Sequence, residues 1–187
     1  MSKIAVLLTP DYADWECGYI MGLGRGYYDV TSVICTPRGE AVRSMGGLTV
    51  QAEQDARILD DAEGLVICGG MHWESEAAHD VGPLARGYLA RGGFVAAICG
   101  GTLALARSGL LDDVAHTSNA RHFLETAGPA YQGAELYRQQ PSIADGQIIT
   151  APGTAPASFA ANVFRRLGVP ETAVSSFLSM VRAELEH

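Results

Sequence analysis

This chain of 187 residues lacks most of the features that assign a protein to a class at sight. It has no CxxC motif and no histidine pair at metal-ligand spacing, and its four cysteines stand far apart at 17, 35, 68 and 99. That excludes a disulfide framework and a simple zinc site, so reduced thiols, no metal and no other cofactor are expected. Basic runs are absent as well. With 13 Lys and Arg against 21 Asp and Glu, the formal charge is −8, and the clustered cations needed to bind phosphate are missing. A nucleic-acid partner is excluded on that ground. No apolar stretch is long enough to span a bilayer, so no membrane partner is expected. The opening "MSKIAVLLTPDY" carries a lysine and a short apolar run with no small-residue cleavage site after it. It reads as a first β-strand rather than a signal peptide, and a cytoplasmic address is expected. Linkers, internal repeats and low-complexity segments are also lacking, and residues 1–187 are read as one domain.

What the chain does contain is core. Apolar residues make up 48% and charged ones 18%, which suits a mostly covered interior. Short apolar runs ("IAVLLT", "VTSVIC", "GLVICGG", "FVAAIC", "QIITAPG") alternate with helical patterns near 13–25, 80–91, 100–108, 119–127, 155–167 and 171–185. Most of the runs are too continuous for strands with one wet face, so they predict strands covered on both sides. The βαβ rhythm predicts a doubly wound α/β sandwich with a mostly parallel sheet. "RSMGGLTV" reads as a small antiparallel excursion, and Asp145-Gly146 as a hairpin turn.

In such folds ligands gather at the carboxyl ends of the strands. Those ends carry "TPDYADWECG", Cys35 with "TPRG", Cys68-Gly69-Gly70 with "MHWE", Cys99, and "APGTA". Cys99 stands out because a buried strand leads into it and Gly100, Gly101 and a helix former follow. A strand that turns sharply into a helix exposes the turn residue at the rim, and the crowded backbone there demands small neighbours. At a helix N-terminus the dipole and unpaired N–H groups favour an anion, which predicts a thiol lowered from about 8.5 toward or below neutrality. Glu16 is the second candidate. It shares a helix face with Tyr19, Ile20 and Leu23, where a carboxyl must be neutral or paired.

These residues resemble the ThiJ/PfpI superfamily, the family of the parkinsonism-associated protein. The resemblance rests on "AICGG" followed by "LALARSGLL", "DWE" after the first strand and "GG" after the third, and it runs from "IAVLLTPDYADWE" to "QIITAPGTAPASFA". It implies a flavodoxin-like three-layer αβα sandwich of the class I glutamine-amidotransferase-like kind, with a cysteine nucleophile elbow. By the same likeness Cys99 is the reactive cysteine and Glu16 its protonated carboxyl partner. The N–H groups of Gly70 and Gly100 would form the oxyanion pocket. Cys35 has a counterpart near a dimer contact in some members. A homodimer is implied, with Trp15, Tyr19 and Trp73 as contact residues.

Departures from the pattern narrow the function. Peptidase-like members carry a histidine directly after the nucleophile, where this chain has Gly100. They also take a glutamate from a neighbouring subunit, a slot that Glu74 matches. The late His-Pro-Glu of amidotransferases is absent. Other members place a histidine in a short strand after "GLL", and "DDVAHTSNARH" offers His116 for proton transfer, with the strand register deciding which way it faces. His122 is expected to face solvent. Thr117, Ser118 and Asn119 are read as caps of the next helix, or as partners for His116. His72 and His79 find no third ligand at a useful spacing. The expected function is a cysteine-dependent enzyme acting on a small electrophilic carbonyl or amide-like substrate, of the glyoxalase, deglycase or isonitrile-hydratase kind. The alternatives are an oxidative-stress sensor or chaperone with an oxidisable Cys99, and an intracellular peptidase.

Overall fold

A computed structural model describes residues 1–52, 54–55 and 61–185 of the chain. The apolar runs form the middle of a seven-stranded sheet. In chain order its strands are β1 (Ser2–Leu7), β2 (Val30–Thr36), β5 (Gln54–Asp55), β6 (Gly64–Ile67), β7 (Phe94–Ile98), β8 (Ile143–Asp145) and β9 (Ile148–Ala151). Their spatial order is β5-β2-β1-β6-β7-β9-β8. Six strands are parallel, and β8 joins the edge antiparallel to β9. The turn between those two contains Gly146 at φ 56°, as the Asp-Gly pair predicted. The excursion around "RSMGGLTV" is a separate two-stranded ladder of β3 (Val42–Arg43) and β4 (Thr49–Val50).

Alternation along the central strands feeds two cores. Val66, Ala96 and Ile98 face a layer made by α1 (Asp14–Tyr27), α5 (Pro156–Arg166) and α6 (Glu171–Leu185), packing with Ile20, Phe159, Phe164 and Phe177. Leu65, Ile67, Val95 and Ala97 face the opposite layer of α2 (Gly82–Ala90), α3 (Gly100–Arg107) and α4 (Arg121–Glu125), packing with Ala85, Tyr88, Leu105 and Leu124. Both faces of the sheet are therefore covered, which is why β1, β6 and β7 read as unbroken apolar runs. Among the described residues no helix is long and apolar enough to cross a membrane.

Three expectations need correction. The helix predicted over 119–127 covers only Arg121–Glu125, with Ala120 at its N-cap and no side-chain cap. Asn119 is thereby released for another task. β5 was not expected, because two residues paired beside Cys35 and Thr36 leave no periodic signal. Trp73 was expected at a contact surface, yet it is fully buried and donates its indole N–H to the Cys68 carbonyl at 2.8 Å. It packs in the core on the α3 side of the sheet and has no surface to offer a partner. Trp15 is about half exposed, and Tyr19 packs its ring against Phe177.

Candidate active site

Cys99 follows β7 at φ 54° and ψ −125°, a conformation that L residues rarely adopt, and α3 begins at the next residue. Such a turn costs of order 1–3 kcal/mol and persists only where its surroundings enforce it. Here the enforcement is visible. The Cys99 N–H donates to the Ala151 carbonyl at 2.9 Å, prolonging the pairing of β7 with β9 by one residue. The Cys99 carbonyl accepts from the Thr102 hydroxyl at 2.6 Å, and that hydroxyl lies 2.6 Å from the Ser118 hydroxyl. A carbonyl can only accept, so Thr102 spends its proton on Cys99 and must accept from Ser118. Strict alternation would send Cys99 to the α3 side with Val95 and Ala97. The positive φ instead packs it beside Ile98 and Ala96 on the α1 side.

Glu16 meets it there. It lies in the first turns of α1, fully buried, as a carboxyl on an apolar stripe must be. Its Oε2 accepts the Gly69 N–H at 2.8 Å. Its Oε1 is buried without a nitrogen or oxygen donor, and the group facing it is the Cys99 thiol. Two glycines keep this meeting place open. A Cβ on Gly69 would lie 2.6 Å from Cys99 Cβ and collide with Glu16 Oε2. One on Gly153 would lie 2.8 Å from Glu16 Oε1 and 3.0 Å from Cys99 Sγ. Trp15 covers the same spot from outside, its indole N–H donating to the Gly153 carbonyl at 3.2 Å.

The third group at the sulfur is Asn119. Its Oδ1 accepts the Gly153 N–H at 2.9 Å, and its Nδ2 donates to Cys99 Sγ at 3.2 Å. The backbone N–H can only donate, so it fixes which way the amide points, and the NH₂ must face the sulfur. No sequence spacing announced this residue. An asparagine after Thr-Ser reads as a helix cap, and only the late start of α4 frees it.

His116 is not part of this shell. It is fully buried, with Nδ1 2.8 Å from the Val114 carbonyl and Nε2 2.7 Å from the Tyr131 hydroxyl. The carbonyl can only accept, so Nδ1 carries the proton and Nε2 accepts from Tyr131. Burial above all holds the ring below its ordinary pKa, which suits this neutral form. The proton carrier expected in His116 is thus a structural ring wedged between Tyr131 and Tyr137. His122 is exposed, as is Glu74 at the end of a 3₁₀ turn, Met71–Glu74. His72 and His79 share a hydrogen bond at 2.9 Å, and among the described residues no cluster of three or more His, Cys, Asp or Glu is placed to hold a metal. Gly70 and Gly100 do come together, the Gly70 carbonyl lying 2.6 Å from where a Gly100 Cβ would stand.

The electrostatics reverse one expectation. The helix N-terminus predicted a lowered thiol, but burial, and then the Glu16 charge, push Cys99 up to about 11. The Asn119 amide and the Gly100 N–H pull the other way and are outweighed. Burial likewise raises Glu16 above the usual carboxylate range. The Glu16 charge opposes the ionisation of Cys99, whereas the thiol, as a hydrogen-bond partner, pulls the Glu16 carboxyl back down without offsetting its burial, so both groups lie above their ordinary ranges. Cys68 lies close by, fully buried, its thiol raised by burial and by its neighbour Cys17.

Comparison with known proteins agrees with this fold. The DJ-1/PfpI family model matches residues 2–166. The chain is 31% identical over 181 residues to the uncharacterized protease YoaZ of Bacillus subtilis, covering 91% of this chain and 86% of that protein. It superposes on the DJ-1 superfamily protein Atu0886 of Agrobacterium tumefaciens with a TM-score of 0.93 and 41% identity, over 98% of this chain and 99% of that one. A thiJ/pfpI family protein of Bacillus anthracis gives a TM-score of 0.79 and 31% identity, over 90% and 84% of the two chains. With the family model spanning most of its length, the chain belongs to the DJ-1/PfpI family.

Proposed function

We propose that the protein is a cysteine-dependent enzyme in which Cys99 adds to a small electrophilic carbonyl carbon, with Glu16 carrying the proton and Asn119 holding the sulfur. The observation that supports it most is that the buried Glu16 carboxyl faces the Cys99 thiol. Glu16 Oε1 has no other donor and faces the thiol, so the proton can lie on either group. When it lies on Glu16, the carboxyl donates to a thiolate that also accepts from Asn119 Nδ2. In that state the sulfur is a nucleophile although the thiol on its own is hard to ionise.

The addition balances without a co-reactant. A carbon–sulfur bond forms, the carbonyl π pair moves onto oxygen, and the proton held by Glu16 passes to that oxygen. The N–H groups of Gly70 and Gly100 are the proposed donors to the developing oxyanion. With a 2-oxoaldehyde, rearrangement of this hemithioacetal to a thioester and attack by water would give a 2-hydroxy acid and return the thiol.

Peptide hydrolysis fits the same residues less well. The relative from Bacillus subtilis is named a protease. Among the described groups that touch the sulfur here, however, none is a histidine able to protonate a leaving amine, since Asn119 carries no labile charge and His116 is engaged elsewhere. The test is consumption of methylglyoxal, an aliphatic isonitrile and a chromogenic peptide amide by wild type and Cys99→Ala. Loss of methylglyoxal with wild type only is the expected result. The proposal fails if the folded wild type consumes only the isonitrile or the peptide, or nothing, or if Cys99→Ala consumes methylglyoxal as fast.

A further inference from the structure

Beside the Cys99 site lies a cavity of about 730 Å³, large enough for a small metabolite, whose lining includes Asn119, Tyr137, Gln139, Gln140, Thr154 and Arg182. Asn119 belongs to both places, one face of its amide holding the sulfur and the residue itself forming part of the cavity wall. The segment after β9 supplies Pro152 and Thr154, either side of the Gly153 that packs on Cys99. α6 closes the far side with Leu178, Val181 and Arg182.

The chemistry of the lining is one-sided. The chain has a formal charge of −8, yet among the described residues no carboxylate lines this cavity, and the one charged group they place there is the Arg182 guanidinium. Every other polar contributor is a neutral hydroxyl or amide. Among the described residues no carboxylate is paired with Arg182. A planar fork of N–H donors at the end of a neutral cavity matches a pair of anionic oxygens, of which a carboxylate is the most compact carrier.

We infer that the cavity binds the anionic end of the substrate, which is therefore a small carbonyl compound bearing a carboxylate. Its carboxylate reaches Arg182 while its electrophilic carbon lies at Cys99. This rests on the reading of Cys99 as the attacking group.

Paired maleimides test it without requiring turnover. N-alkylmaleimides are compared with analogues whose alkyl chains, short or long, end in a carboxylate, and labelling of Cys99 is followed by peptide mass mapping. The thiolate adds across the C=C bond and the neighbouring carbon takes a proton from solvent, so nothing is released. Glutathione supplies the reference ratio for an unassisted thiol. At one tether length the ratio of carboxylated to neutral rate should exceed that of glutathione by about fivefold, as a screened ion pair allows. Arg182→Gln should remove this preference and leave the N-ethylmaleimide rate unchanged, and Arg182→Glu should invert it. A ratio equal to that of glutathione at every tether, or one unmoved by Arg182→Gln, overturns the inference while leaving Cys99 as nucleophile. If Cys99 reacts with neither reagent, the attacking role itself falls and the inference with it. A preference that survives in a protein inactive on every aldehyde tested supports the carboxylate site on its own.

Discussion

Ile-Cys-Gly-Gly occurs twice in this chain, at 67–70 and at 98–101, each time leaving the carboxyl end of a central strand. The two strands are neighbours in register, Ile67 opposite Ala97, so the cysteines lie within a residue of each other along the sheet. Their fates differ. Cys68 continues the alternation of β6 into the α1 side of the core, fully buried, with its thiol 3.5 Å from the Ala13 carbonyl and beside Cys17. Cys99 breaks the alternation of β7 through its positive φ and stays partly exposed between Glu16 and Asn119. What separates them is the continuation. The first copy runs through Gly69 and then Gly70, at φ 149°, into a 3₁₀ turn, whereas the second is forced at once into α3. The glycines also serve different ends. Gly69 gives its N–H to Glu16 and leaves room for Cys99, so the first copy works as a wall of the second one's site. A four-residue motif therefore does not by itself bring a cysteine to the rim. The enforced turn does.

The largest effect expected from this contrast is an exchange of phenotypes. Cys99→Ala should abolish turnover and remove the partly exposed thiol in an otherwise stable protein. Cys68→Ala should keep turnover and lose about 1–2 kcal/mol of stability, as expected for trimming a buried side chain. Thermal melts and iodoacetamide mapping of both variants decide it. Activity that survives without Cys99, or vanishes without Cys68 in a folded protein, removes the distinction.

The turn at Cys99 is legible in the sequence, because strand, cysteine, glycines and helix former are contiguous and each constrains the next. Glu16 was legible for a related reason, a charge on an apolar helical stripe being an anomaly that demands burial with a partner. The sheet was legible because strands covered on both sides leave unbroken apolar runs. Asn119, Gly69 and Gly153 were not. Their roles arise from three distant segments meeting at one sulfur, and a small residue that merely leaves room has no periodicity. His116 misled in the opposite direction. A histidine in the expected segment looked chemical, and only the Val114 and Tyr131 contacts show both ring nitrogens occupied. The thiol pKa was misjudged because the helix N-terminus could be read locally, whereas the burial and the Glu16 charge that outweigh it could not.

Asn119→Ala sharpens the comparison next. The Asn119 amide hydrogen-bonds the Cys99 sulfur and favours its ionised form, whereas the neighbours acting on Cys68 raise its thiol. Its loss should slow Cys99 alkylation at fixed pH about 10- to 100-fold, the worth of a hydrogen bond to a charged group. Asn119→Asp should slow it further by placing a like charge beside the thiolate. Equal rates in all three proteins would mean that the sulfur is not assisted from this side. His116→Phe makes the opposite trade, leaving the alkylation rate alone and costing about 1–3 kcal/mol, because the Tyr131 hydroxyl and Val114 carbonyl lose buried partners. Denaturant melts read that cost, and a collapse of Cys99 reactivity in a folded His116→Phe protein would return the ring to the site.

Glu16→Gln carries the smallest effect and the most informative sign. The Glu16 charge is the second-largest cause raising Cys99 and only a lesser one at Cys68, so removing it should lower the Cys99 thiol from about 11. The midpoint of alkylation rate against pH should move down in step. Stability should change in a direction that depends on pH. The folded-state pKa of Glu16 is raised by burial, so the native state binds the proton more tightly than the unfolded chain does. The stability this contributes is complete below the unfolded value, about 4.3, and is lost as pH rises through the raised folded value. Glutamine stays neutral throughout and keeps an oxygen for the Gly69 N–H. The two proteins should therefore melt alike in acid, with Glu16→Gln pulling ahead by about 2–4 °C near neutrality. A variant that melts lower at every pH would show that Glu16 is held as a carboxylate, and would leave the thiol without its proton carrier.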